Sequence, residues 1–141
     1  MLPLRFARNW QLVSLLLLVT ILVAAVLPAV WFLPDRIELF KWFGGVDKWA
    51  HAAACAFLTV WFAGLYPKSA YWRIAIGMLA YGILIELCQS LISYRSAEWP
   101  DVGADVVGIG FGLSLALLGA GGWCRAAENW YVDRTAGNGD G

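Results

Sequence analysis

From Leu12 to Leu33 the chain runs for 22 residues without a charged side chain. As a helix that run is roughly 33 Å long, enough to cross a hydrocarbon core of about 30 Å. A secretory signal shares the positive start supplied by Arg5 and Arg8. Its apolar core, however, spans only about 7 to 15 residues and ends at small residues. Pro28, Trp31 and Phe32 make a poor cleavage site, so the run is read as a retained first transmembrane helix with Pro28 as a kink near its outer end. The remaining sequence repeats the pattern: 61% of the chain is hydrophobic and 14% charged, against about half and a quarter for soluble domains. A single membrane domain is expected.

Residues 34–46 carry mixed charge among Ile37, Leu39, Phe40, Trp42 and Phe43, the pattern of a short interfacial stretch, and Gly44 and Gly45 break it. A second apolar helix is predicted over 47–66, where Pro67 stops it, and a third over 72–92. Pro100 suits the first helical position of a fourth, over 101–123. The tail, 125–141, is polar and ends Thr-Ala-Gly-Asn-Gly-Asp-Gly, and is expected to be frayed. The fold class expected is therefore all-α: a polytopic membrane protein with four transmembrane helices in an antiparallel bundle.

Loop charge orients it. Arg5, Arg8, Lys68, Arg73, Arg125 and Arg134 gather on one side and Arg36, Lys41, Lys48 and Arg95 on the other, six against four, which places both termini in the cytoplasm. Trp10, Trp72 and Trp123 then mark the inner interface, and Trp31, Trp42, Trp49 and Trp99 the outer. Zero formal net charge without a like-charge block gives no support for nucleic-acid binding or a polybasic lipid tether. Cys55, Cys88 and Cys124 lack zinc or redox spacing and are read as reduced packing residues.

The polar residues are placed unevenly in depth. His51 lies roughly 6 Å inside the start of the second helix, Asp105 about as far inside the fourth, and Glu86 about 9 Å from the end of the third. All three thus fall at one membrane surface, while the opposite halves of the helices are almost free of charge. Asp47 and His51 share a helix face, as do Asp101 and Asp105, and Glu86 and Gln89. Gly108 and Gly112 continue the Asp101–Asp105 face, and such a GxxxG lets another helix come close. Each feature also has a structural explanation. Asp47 is a good N-cap, Asp101 complements a helix dipole, Lys48 can snorkel, Arg95 and Glu98 can be loop charges, and His51 can be a satisfied core residue. Glu86 and Asp105 are harder to explain that way, because a carboxylate inside hydrocarbon costs about 3 kcal/mol on insertion scales.

Asp47-Lys48-x-x-His51, Glu86-x-x-Gln89 and Arg95-Ser96-x-Glu98-x-x-Asp101-x-x-x-Asp105-x-x-Gly108, in this order on successive helices, resemble the VanZ-like family over roughly residues 46–121. Many members have Asn where this chain has Asp105, which adds a titratable group. The resemblance implies a bacterial inner membrane and a link to the cell envelope or to glycopeptide resistance. It supplies no reaction.

The reading placed first is an enzyme acting on an envelope lipid or lipid-linked glycan headgroup at the outer leaflet. His51, Glu86, Asp105 and Asp101 are its candidate catalytic groups, and Asp47, Lys48, Gln89, Arg95 and Glu98 its candidate binding groups. No cofactor is expected, and a divalent ion held by His51 and carboxylates is the lesser variant. The alternatives are a non-catalytic accessory that binds a lipid or an envelope-synthesis protein, and a small proton-coupled transporter.

Overall fold

The computed structural model describes residues 1–26, 46–91 and 99–137, all-helical apart from short connections. Backbone N–H and C=O groups have no water to bond in hydrocarbon, so apolar runs of this length close their hydrogen bonds within a helix. Helix α1 is Ala7–Val26, α2 Val46–Leu65 and α3 Tyr71–Ser90, the last preceded by a 3₁₀ turn at Lys68–Ala70. Helix α4 is Trp99–Leu115, continued by one π turn at Ala116–Ala120, and α5 is Trp123–Gly137.

Three stretches are long and apolar enough to cross a membrane: Ala7–Val26, Lys68–Ser90 and Trp99–Ala120. Helix α2 matches them in length at 20 residues, but its first turns carry Asp47, Lys48 and His51, and it is not among the three. Helix α1 buries only Ser14 and leaves Leu12, Leu15, Leu16, Val19 and Val23 exposed, the surface expected of a helix with lipid around most of it.

Small residues set the closest pair. A Cβ on Gly108 would sit 2.1 Å from the Ala52 carbonyl oxygen, and one on Gly112 2.7 Å from that of Ala56. The GxxxG face of α4 thus lies directly on the backbone of α2, as its spacing predicts. Around this contact Cys55, Leu58, Ile74, Met78 and Ile109 form the apolar core. Helix α1 runs parallel to α3. The Tyr81 hydroxyl donates to the Leu18 carbonyl at 2.5 Å, and the Gln89 amide donates to that of Ala25 at 2.9 Å.

The C-terminal part departs from expectation. The fourth helix ends before Trp123, because Gly119 takes φ 139° and Gly122 φ 74°, left-handed conformations that halt a right-handed helix. The expected frayed tail is instead helical from Trp123 to Gly137. Helix α5 is held by Gly122 N–H donating to the Ala63 carbonyl at 3.0 Å and by the Glu128 carboxylate, which reaches the N-terminal segment. The Pro28 kink, the interfacial stretch before α2, and the loop with Arg95 and Glu98 lie outside the described residues.

Candidate functional site

His51 lies in the second turn of α2, and the i, i+4 period puts Cys55 on the same face. That face meets α4 where Gly108 removes the side-chain barrier between the two helices. Asp101 and Asp105, one turn apart on α4, are thereby turned into the bundle. Helix α3 completes the site with Glu86. One turn before it, Gly82 leaves the space that Asp105 fills, since a Cβ there would lie 2.1 Å from Asp105 Oδ2.

The imidazole of His51 stands between two carboxylates. Its Nδ1 is 3.4 Å from Asp105 Oδ1, and its Nε2 is 3.7 Å from Glu86 Oε1. Both separations exceed the usual hydrogen-bond range of about 2.7–3.2 Å; they are contacts at ion-pair distance that carry opposite charges only when the imidazole is protonated. The Cys55 thiol donates to Asp105 Oδ1 at 3.1 Å. Asp101 joins them: one ligand-type atom from each of His51, Glu86 and Asp101 lies within 4.8 Å of the other two. Relative exposures of 8% for His51, 4% for Glu86 and Asp101, and 1% for Asp105 make this a buried polar cluster rather than a rim of surface charge.

Of the residues singled out from sequence, His51, Glu86, Asp101 and Asp105 are brought together, from three helices. Asp101, whose position at a helix start offers a structural explanation, is as buried as Glu86 and converges with it. Lys48 is half-buried in the first turn of α2. Asp47 occupies the same turn, and its side chain lies outside the described set. Gln89 does not join the cluster through its amide, which donates to Ala25 of α1. Arg95 and Glu98 lie outside the described residues.

Three participants escape a reading by residue type. Cys55 is an active partner of Asp105, and only its place four residues after His51 hinted at this. Gly82 makes room for a carboxylate, and its sole signal is its place one turn before Glu86. Glu128 builds a separate structural site at the opposite end. It accepts from the main-chain N–H groups of Arg5 at 2.7 Å and Phe6 at 2.9 Å, and from the Trp10 indole at 2.8 Å. Burial pulls its pKa up, but these donors and the Arg5 charge outweigh burial, and the net shift is downward. Beside it, burial and then the Glu128 charge push the Cys124 thiol up to about 12, which keeps it unreactive at neutral pH. Trp10, Trp61 and Trp123 pack around the same end, with ring centroids 5.3 to 5.6 Å apart.

The two ends of the bundle therefore differ in kind. One is an aromatic anchor closed by Glu128; the other gathers an imidazole, a thiol and three carboxylates. Such a cluster can pass protons between groups, present charge to a ligand, or hold a cation. The class defined is an all-helical protein with membrane-crossing helices and a buried histidine–carboxylate site at one end. No protein-family model, no curated protein and no solved structure matches the chain.

Proposed function

We propose that this chain is a VanZ-like protein of the bacterial inner membrane that crosses the bilayer four times with both termini cytoplasmic. Its histidine–carboxylate site lies toward the outer leaflet and binds or acts on the headgroup of an envelope lipid or lipid-linked glycan, with a link to glycopeptide resistance. The observation that carries this reading is the convergence of His51, Glu86, Asp101 and Asp105 at one end of the bundle. Acidic groups are costly at membrane depth, and four buried ionisable side chains from three helices are more than helix capping requires. An imidazole between two carboxylates can give or take a proton at a bound headgroup, and its charged form can face a phosphate. Helix α2 supplies the fourth crossing, and its polar first turns mark the membrane surface where the site opens.

The test is purification of the full chain in mild detergent with identification of the lipids it carries. An envelope lipid with a phosphate or glycan headgroup should accompany the wild-type protein and be lost from His51→Ala and Glu86→Ala proteins that remain folded. Equal lipid content in all three would overturn the reading.

The depth of burial favours one other reading, a non-catalytic accessory in which the cluster fixes helix register. It predicts that Glu86→Gln combined with Asp105→Asn keeps function, because shape and hydrogen-bonding capacity survive. Loss of the phenotype in that double variant counts against it.

A further inference from the structure

Three side chains from three helices point one donor atom each at a common volume. We propose that His51, Glu86 and Asp101 hold a divalent transition-metal cation of the Mn²⁺ or Zn²⁺ class. The spacing is close to what an ion needs. With metal–ligand bonds of about 2.0–2.2 Å, three donors around one ion stand about 3–4 Å apart, so donors now within 4.8 Å close on it with side-chain adjustments of up to about 1 Å.

The surroundings are those of a metal site rather than of a simple acidic cluster. Histidines that ligate metals commonly turn their second nitrogen to a carboxylate, which orients the ring and raises its basicity. Here Asp105 stands 3.4 Å from Nδ1, while Nε2 is turned toward Glu86. The place of Asp105 is built by the missing side chain at Gly82. Its Oδ2 is fully buried and accepts no hydrogen bond among the described residues. A buried carboxylate oxygen without a donor is costly, and a cation one residue away offsets that cost through the field rather than through a hydrogen bond. Three carboxylates gathered at one buried point repel one another; an ion between two of them reverses the sign of the interaction.

The donor set narrows the metal. Mg²⁺ and Ca²⁺ take oxygen ligands, whereas one imidazole with two carboxylates suits Mn²⁺ or Zn²⁺. An acidic site repels phosphate, and an ion supplies the positive charge that a phosphate headgroup requires. Nε2 is then a ligand, and the cation takes the place of an imidazolium in facing the headgroup. The inference rests on the headgroup reading for its biological use, but ion binding is measured without lipid.

The full chain, purified in detergent, stripped with chelator and dialysed, is titrated with Mn²⁺ followed by electron paramagnetic resonance, with Zn²⁺ as competitor. Saturable binding at a single site is expected, with a higher melting temperature in the loaded protein. Glu86→Gln, Asp101→Asn and Asp105→Asn should each weaken binding by roughly 10–100-fold or more, while Asp133→Asn on exposed α5 leaves it unchanged. Absence of saturable binding, or variants that bind like the wild type, overturns the proposal. Should the variants fail to fold, the melting temperature of the wild-type chain decides: no rise with Mn²⁺ or Zn²⁺ also overturns it. A chain that carries headgroup lipid but binds no ion overturns this inference alone. One that binds Mn²⁺ and carries no lipid supports the ion and overturns the headgroup reading.

Discussion

The carboxylate of Glu128 caps the start of α1 from the far end of the chain, accepting from Arg5, Phe6 and Trp10. Hydrogen bonds to a charged group are worth about 1.5–3 kcal/mol each when well made, and a removed partner leaves donors unmet. Glu128→Gln should therefore lower stability by about 1–3 kcal/mol at neutral pH, read as a lower thermal midpoint in detergent. The pH dependence has a definite sign. The pKa of Glu128 is lowered in the folded chain from its ordinary 4.5, so its contribution is fully present above that value and is lost as pH falls through the folded value. Melting curves of wild type and Glu128→Gln should converge below that point; a gap that stays constant down to acid pH would contradict the assignment. Gly82 offers a second residue-scale test, because Gly82→Ala places a methyl against Asp105 without removing any polar group. It should weaken Mn²⁺ binding at the His51 site while the helical circular dichroism stays intact.

Between elements, the α2–α4 contact depends on backbone touching backbone. Gly108→Ala drives a Cβ into the Ala52 carbonyl, and that atom is main chain that cannot rotate away. Overpacking of this kind costs roughly 1–3 kcal/mol and should splay the two helices that carry His51 and Asp105. Gly110, two residues on, faces outward with nothing within 4 Å of its would-be Cβ. Gly110→Ala should be neutral or stabilise by up to about 1 kcal/mol through helix propensity. Paired thermal melts in one detergent separate the two, and equal effects would mean that α4 does not present this face to α2. The GxxxG spacing made the close approach legible in advance. The extent of α5 was not legible: a polar sequence with Gly near its end reads as a free tail, and only the tie from Glu128 to the first residues of the chain makes the helix part of the bundle.

For the whole molecule, alternation of four helices puts the start of α1 and the finish of α4 at the same end, together with α5. Leu2 N–H donates to the Leu65 carbonyl at 2.8 Å, and Trp10 packs on Trp123. On the four-crossing reading proposed above, the loop charges put both termini in the cytoplasm. Reporter fusions at Met1 and after Gly137 should both read as cytoplasmic, and opposite readings would require three crossings rather than four. The proposed orientation would put the aromatic anchor at the inner surface and the His51 cluster at the outer, where the proposed headgroup would arrive from the outer leaflet without crossing the core.

The sequence by itself determined the helical class, the existence of stretches long and apolar enough to cross a membrane, and the placing of His51, Glu86 and Asp105 toward one end of their helices. These follow from the length of apolar runs and the rise per residue, which are local properties. The tertiary structure alone decided which faces meet. Helix rotation, set for α2 and α4 by the glycines between them, brought Cys55 to Asp105 across 50 residues of chain and carried Asp101 in beside Glu86, while the packing of α3 on α1 took Gln89 to Ala25. It also joined Glu128 to Arg5 across 123 residues. No local pattern encodes such pairings, because a helix of given composition packs equally well in several registers until its neighbours exclude all but one.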